Sequence, residues 1–336
     1  MSALSVGLGA ALLLLTLYDV FATVFVIGDG AGPQSRLLAD RAWRLALRLH
    51  VQGNKRSHSR MRAVGPLIVL LVLGVWVLEI VLGWALVFVP TAFSNAAVAG
   101  FDDRLVFAAQ AVIGRSGNSP ALEVADGGWE LLHSLAGLTG VVLVSVGLAY
   151  VLPILSSVAH KRSVAASING LGSTVDEMRE LARVSGGELP AAEALGPHLV
   201  AMGNAITLVA ERHRAYPVLH YFHSSEYHAA FAPAVAKLAL MVRDEPKASV
   251  NVHPGVTRLV EQAILDVLEA LARVGLSRYA HESEDIDDDG LVNLVIDPSA
   301  ASSADMPSPT LAWLHAYVQF DGWDWKEIER GDSTLH

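Results

Sequence analysis

The sequence contains no cysteine and little charge. With no cysteine among its 336 residues, disulfides and thiolate metal sites are excluded. Charged residues make up 17% of the chain, against about 25% in soluble globular proteins, whereas hydrophobic residues make up 52%. These proportions favour a membrane protein.

The sequence also lacks the signatures of common enzymes. It shows no nucleophile–base pair, no carboxylate pair, no phosphate-binding loop and no dinucleotide fingerprint, so we expect neither an enzyme nor a cofactor. The net charge is −10, with the acidic excess in the C-terminal half. A nucleic-acid partner is therefore not expected.

Three apolar runs are long enough to cross a bilayer, which takes about 20 residues. They are Leu4 to Ile27, Val64 to Thr91, and Trp129 to Val158. The first run has no Lys or Arg ahead of it and no A-x-A cleavage pattern, so we expect a retained transmembrane helix rather than a signal peptide. The runs predict a multi-pass protein in the lipid bilayer of the plasma (inner) membrane.

A basic, amphipathic segment follows the first run. Residues 31–63 carry eight Lys or Arg, and such short basic loops stay cytoplasmic. The N-terminus is then outside, and a C-terminal domain following His160-Lys161-Arg162 is cytoplasmic. The composition suits a helix lying on anionic headgroups, and Ser35 is a candidate cap for its start.

Two carboxylates fall inside the predicted spans. Asp19 lies in the first and Glu79 in the second. A carboxylate in a membrane is costly and must face protein or water. Each either makes a packing hydrogen bond or takes a direct part in gating or permeation.

A shorter apolar stretch, Phe101 to Pro120, lies between the second and third runs. A run of 10 to 14 apolar residues is too short to span the membrane, and it ends in the glycine-containing sequence GRSGNSP. Irregular backbone at membrane depth is tolerated only where protein buries it or it lines a watery cavity. The pattern predicts a re-entrant half-helix and loop, as in a pore.

This arrangement resembles the bacterial potassium-channel-like proteins of the single-pore-loop class, whose filter has the form T-T-x-G-Y-G-D-x-x-P. The candidate filter residues are Ala111, Val112, Ile113, Gly114, Arg115, Ser116 and Gly117. Gly114 matches the first filter glycine and Pro120 the proline that follows the filter. The resemblance covers residues 1–165 and implies a homotetramer around a path for monovalent ions.

The filter departs from the family pattern at most positions. Ala111 and Val112 replace the threonines, Arg115 the aromatic residue, Ser116 the second glycine and Gly117 the aspartate. As written, this is not a potassium filter, because successive carbonyls must face the axis. Three outcomes stay open. Arg115 turns away to pair with Glu79 or an outer aspartate and leaves a cation path, or it faces the axis and favours anions, or the pore is shut.

The third run contains small residues and a proline. Gly137, Gly140 and Gly147 permit close helix contacts, and Pro153 removes one backbone hydrogen bond. Gly147 and Pro153 are candidates for a gating hinge; the alternative is packing with a terminal kink.

The C-terminal half predicts a mainly α-helical domain. Ser173 to Glu177 has the pattern of a capped helix start, and Glu188 to Pro197 is predicted to be a turn region. In the histidine-rich stretch after it, His220 and His223 stand at helical spacing and are candidate metal ligands. Packing, a domain contact and pH sensing are the alternatives.

Two further segments complete the chain. Asp285 to Gly290 matches the first half of a calcium loop but lacks the glutamate at the twelfth position, which favours a solvated acidic loop. Residues 298–309 are predicted to be a linker, followed by a short aromatic helix.

The predicted fold class is an all-α membrane protein with three transmembrane helices, a re-entrant pore helix and filter loop, and a cytoplasmic α-helical domain. The predicted segments are 1–30 (first span), 31–63 (basic linker), 64–160 (pore module), 161–297 (cytoplasmic domain) and 298–336 (linker and aromatic helix). The expected function is an ion channel, with a cation pore of altered selectivity. The alternative is a non-conducting sensor or scaffold acting through its cytoplasmic domain.

Overall fold

The computed structural model describes residues 2–28, 31–51, 58–91, 100–115, 127–184, 191–243, 253–273 and 308–330. These residues form helices, turns and connecting segments, with no strand among them. The helices are α1 Ser2–Phe25, α2 Pro33–Val51, α3 His58–Met61, α4 Val64–Val87, α5 Phe101–Val112, α6 Gly127–Asn169, α7 Val175–Val184, α8 Ala191–Ala215, α9 Phe231–Arg243, α10 Pro254–Leu271, α11 Ser308–Phe320 and α12 Trp325–Arg330.

Three helical stretches are long and apolar enough to cross a membrane. They are Ala3–Phe25, His58–Val87 and Gly128–Asn169, and they coincide with the three runs predicted from the sequence. Pro66 lies in the first turn of α4, where its missing N–H has no helical partner to lose. The prediction of three long apolar helices is confirmed.

The chain divides into two compact units. The first comprises Met1–Val26, Ala31–Ala39 and Val69–Pro153, and the second comprises Ile27–Gly30, Asp40–Ile68 and Ile154–His336. Helix α6 continues unbroken through Pro153 and past the basic residues at 160–162, where the third span was predicted to end.

The core of the first unit is rich in large aromatic side chains from α4. Trp76, Ile80 and Phe88 are each no more than 1% exposed, and Phe107 of α5 packs with them. Gly9 of α1 approaches the carbonyl of Gly83 so closely that an added Cβ would lie 2.6 Å from it. Small residues at this crossing let the α1 and α4 backbones meet.

The second unit is built on α8, α9 and α10. Ile206, Val209 and Ile264 are fully buried where α8 packs on α10. The predicted turn at residues 188–197 is wrong from Ala191 onward, because α8 begins there and includes Pro197; residues 188–190 lie outside the described residues. Burial of the apolar face that starts at Leu195 stabilises a helix there despite the proline.

The basic helix α2 buries part of its apolar face within the second unit. Trp43 is 1% exposed; its indole N–H donates to the Phe320 carbonyl at 3.2 Å, and its ring lies 5.5 Å from that of Tyr221. Leu45 and Leu49 remain exposed. The Trp43 face therefore packs within the protein, and the expectation that α2 lies on anionic headgroups stays a prediction.

Candidate functional site

Helix α5 is the short helix that the sequence predicted between the second and third spans. The ring of Phe107 lies 5.1 Å from that of Phe88 at the end of α4 and 4.9 Å from that of His133 near the start of α6. The Arg104 guanidinium donates to the carbonyl of Phe88, just after α4, at 3.2 Å, and the same carbonyl accepts from the Thr91 N–H at 3.1 Å. The start of α5 is thereby held at the end of α4.

The C-terminal end of α5 lies deep against α6. A Cβ at Gly140 would overlap the Val112 carbonyl oxygen, and one at Gly137 would lie 3.2 Å from the Ala111 carbonyl. At about 1.5 Å per residue, Gly140 lies roughly 20 Å along the axis from the start of α6. Helix α5 thus runs from the α4–α6 end of the first unit down beside α6, ending well along its length.

The chain changes direction immediately after α5. Gly114 has φ +72°, a left-handed conformation that glycine adopts at little cost. The Arg115 backbone N–H bonds to the Gln110 carbonyl at 2.9 Å, while its side chain is exposed, as are Ile113 and Gly114. Of the candidate filter residues, Ala111 and Val112 are buried against the unit; Ser116 and Gly117 lie outside the described residues.

Asp19 is fully buried and joins three segments of the first unit. Its carboxylate accepts hydrogen bonds from the backbone N–H of Gln34 at 2.8 Å, the Ser35 N–H and hydroxyl, and the Trp76 indole at 2.9 Å. Gln34 and Ser35 are the second and third residues of α2. Asp19, a residue of α1, thus accepts the backbone N–H bonds that an N-cap side chain would normally accept. Ser35, the candidate cap, instead donates to Asp19. These hydrogen bonds are those of the packing alternative, and a direct part of Asp19 in gating or permeation stays a prediction.

Glu79 accepts a hydrogen bond from the Thr16 hydroxyl at 2.8 Å. This contact joins α4 to α1. Among the described residues Arg115 has no carboxylate within ion-pair distance, so Arg115 and Glu79 do not pair within one chain.

The two candidate hinge residues lie in an uninterrupted helix. A Cβ at Gly147 would make only ordinary contact, 3.5 Å from Leu73, and Pro153 is an internal residue of α6. The positions of α6 that require a small residue are Gly137 and Gly140, because the end of α5 packs against them. The hinge at Gly147 and Pro153 remains a prediction.

The candidate metal ligands His220 and His223 do not share a helical face. His220 is in a short 3-10 helix that ends at Tyr221 and stacks on Phe320 with centroids 4.0 Å apart. Neither of its ring nitrogens has a hydrogen-bond partner among the described residues. His223 uses both nitrogens, one with His58 at 3.0 Å and one with the Asp321 carbonyl at 2.7 Å. Nowhere in the part of the chain that is described do three or more such groups cluster to hold a metal.

Burial lowers the basicity of these histidines. The pKa of His223 is lowered to about 3 by desolvation, with His58 nearby adding to the effect. Burial also lowers the pKa of His220 well below its ordinary value and that of His213 to about 3. All three are therefore neutral packing groups at physiological pH.

The sequence did not predict a role for two buried charged residues, Lys161 and Asp321. Lys161 is 4% exposed and Asp321 1% exposed, and both line one cavity of about 230 Å³ in the second unit. Burial raises the pKa of Asp321 to about 7, while the Lys161 charge opposes that rise. Residues so far apart in sequence carry no local signal that they line the same cavity.

Comparison with known proteins gives one significant relative. No family model matches the chain, and no solved structure matches it. The chain is 28% identical over 237 residues to the uncharacterized membrane protein YdjJ of Bacillus subtilis (strain 168). The alignment covers 68% of this chain and 66% of that protein, just under two thirds of the relative's length. With its three long apolar helices, the chain is a membrane protein.

Proposed function

We propose that the protein is a channel-like membrane protein in which α5 and the residues after it form a re-entrant pore segment. The observation that carries the proposal is the position of α5. A 12-residue helix, too short to span hydrocarbon, lies between two long apolar helices and ends against Gly137 and Gly140. A left-handed glycine then turns the chain. Helix, half-helix, glycine turn and helix is the order that a pore loop requires.

The arrangement supports a homotetramer, by the resemblance to single-pore-loop channels. Exposed apolar side chains at Val106 on α5, at Ile113 just after it, and at Leu131, Leu135 and Leu138 on α6 suit lipid or neighbouring subunits. By the positive-inside rule the N-terminus is outside and the C-terminal unit cytoplasmic, in the plasma membrane.

The proposed permeant species is a monovalent cation. Asp102 and Asp103 are exposed at the start of α5, where negative charge attracts cations to the outer mouth. The Arg115 side chain is exposed at the end of α5, and four such charges in a tetramer would repel cations if they faced the axis. Arg115 is thus the residue on which conduction depends.

Ion flux into liposomes tests the proposal. Purified protein is reconstituted, and potassium, sodium and chloride gradients are compared for wild type, Arg115→Glu and Arg258→Glu. Arg258 is an exposed residue of α10 in the second unit, so the control reverses the same charge outside the pore segment. We expect Arg115→Glu alone to increase cation flux.

Absence of flux for all three ions would sink the conducting proposal if the protein is shown to be folded and oligomeric. The second candidate function then takes its place: a non-conducting sensor or scaffold acting through the C-terminal unit. The cavity that Lys161 and Asp321 line in that unit favours this candidate.

A further inference from the structure

The cavity that Lys161 and Asp321 line contains polar groups whose bonding capacity is unfilled. A lysine ammonium has three donors, but among the described residues its one acceptor within hydrogen-bond distance is the Phe222 carbonyl, at 3.2 Å. Asp321 Oδ1 is buried with no hydrogen-bond partner in the part of the chain that is described, and Oδ2 lies 3.9 Å from His223 Nδ1. Buried polar groups normally have hydrogen-bond partners. The Lys161 ammonium and Asp321 Oδ1 are therefore available to bind a ligand.

Lys161 and Asp321 do not satisfy each other. Their charges act on one another, yet within the described part of the chain no ion pair of 4.0 Å or less joins them. A buried charge without a close partner is costly. A ligand between them would relieve both.

The lining carries more positive than negative charge. Arg62 and Arg162 line the cavity with Lys161, against the single acidic side chain of Asp321. Arg162 is already bonded to Glu226 at 3.0 Å, whereas the Arg62 guanidinium is exposed and has no described partner. Lys161 and Arg62 are therefore the cations available to an incoming anion.

The cavity lies where two predicted spans end. Arg62 and Pro66 flank the first residue of α4, and Leu155 lies with Lys161 on the last part of α6. Pro66 and Leu155 are exposed apolar residues at its wall. Basic pockets at the ends of transmembrane helices suit lipid headgroups, and about 230 Å³ holds a headgroup rather than a drug-sized molecule.

We propose that this cavity binds a phosphate-bearing anion, with Lys161 and Arg62 donating to the phosphate oxygens and Asp321 facing the same group. Charge-assisted hydrogen bonds of this kind are about twice as strong as neutral ones. Because burial raises the pKa of Asp321 to about 7, this carboxyl can keep its proton beside an anion and donate from it. A phospholipid headgroup and a free phosphate compound share this chemistry.

Thermal unfolding of the full-length protein in maltoside micelles tests the site, because a ligand that binds only the folded state raises the midpoint. One arm titrates phosphatidylglycerol, with uncharged diacylglycerol as its control. The other titrates inorganic phosphate and glycerol phosphate against chloride at equal ionic strength. The variants are Lys161→Met and Arg62→Gln, and the matched control is Arg60→Gln. Arg60 is exposed on α3 and lies outside the cavity lining.

We expect a saturable rise in midpoint for wild type and Arg60→Gln, with affinity lowered about tenfold or more in Arg62→Gln and Lys161→Met. A rise with phosphatidylglycerol alone identifies a lipid headgroup; a rise with the soluble compounds identifies free phosphate, and both support the site. Equal responses of Arg62→Gln and Arg60→Gln, or no rise in wild type, would overturn the proposal. Arg62→Gln carries the test if Lys161→Met fails to fold. The assay needs no ion flux, so its outcome is separate from that of the channel proposal.

Discussion

The contact between α5 and α6 leads to the sharpest prediction, that Gly140→Ala destabilises the first unit. A methyl group there would overlap the Val112 carbonyl oxygen. That atom belongs to a helix end and cannot rotate away as a side chain would. The end of α5 must therefore move by more than about 1 Å, a displacement of the kind that makes overpacking unfavourable.

A series of three glycines provides the magnitude. An alanine is favoured over glycine in a helix by about 1 kcal/mol. A Cβ added at Gly74 would meet no atom of the described residues within 4 Å, so Gly74→Ala should be neutral or stabilising by up to about that amount. A Cβ added at Gly137 would lie 3.2 Å from the Ala111 carbonyl oxygen. A small shift of the neighbouring backbone should accommodate it and leave stability near that of wild type. At Gly140 overpacking costs about 1 to 3 kcal/mol, and we expect a net loss of about 1 to 2 kcal/mol after the propensity gain.

The unfolding midpoint of each variant in the same detergent measures the series. The expected order of stability is Gly74→Ala, Gly137→Ala, Gly140→Ala. If Gly140→Ala were as stable as Gly74→Ala, the close approach of α5 to α6 would be refuted, and with it the position of the half-helix on which the channel proposal rests.

Three further predictions concern buried polar groups, each measured by thermal unfolding. Asp19→Asn places an amide among the N–H donors of Gln34 and Trp76 and should cost about 2 to 3 kcal/mol; a midpoint equal to that of the exposed control Asp102→Asn would contradict the capping role. Lys237→Met removes the donor to the Ser173 carbonyl, 2.8 Å away, and should cost about 1 to 3 kcal/mol, whereas the exposed Lys326→Met should not. His213 has its pKa lowered by burial to about 3, so its stabilisation is present above about pH 6.5 and is lost as pH falls toward 3, roughly 2 kcal/mol by pH 5. Asp321 has its pKa raised to about 7 and acts with the opposite sign, losing stability as pH rises from about 4 to 7. His213→Gln should therefore reduce the rise of unfolding midpoint between pH 4 and 7, and Asp321→Asn should increase it. If both substitutions changed the slope of midpoint against pH in the same direction, the opposite pKa shifts assigned to the two residues would be refuted.

Local patterns in the sequence predicted the parts of the fold that depend on neighbours along the chain. The apolar runs became long helices. The capped start was also confirmed: Glu177 N–H donates to Thr174 at 3.1 Å, and Ser173 N–H donates to the Glu177 carboxylate at 2.7 Å. The predicted C-terminal aromatic helix is α11, with Tyr317 and Phe320 buried.

What local patterns missed are contacts between distant residues. Asp19 was recognised as costly, but nothing in the spacing showed that it would cap α2. The i, i+3 spacing of His220 and His223 suggested a shared helical face, yet Pro217 begins a 3-10 helix that ends at Tyr221. The cavity needs Arg62, Lys161 and Asp321 together, three segments that only tertiary packing brings into contact.

The half-helix and the filter place different demands on the sequence. The packing of α5 on α6 depends on backbone atoms of Ala111 and Val112 and on small residues at Gly137 and Gly140. This packing does not require threonine side chains at positions 111 and 112. A filter, by contrast, depends on the carbonyls of successive residues facing the axis, and the candidate filter continues past Gly114 to Arg115, Ser116 and Gly117. A chain can therefore keep the pore architecture while Arg115 and Ser116 change or abolish selectivity. For this reason the position of α5 is tested at Gly140 and conduction at Arg115: a refuted half-helix would remove the support for the channel proposal, whereas a confirmed one would leave conduction to the Arg115 test.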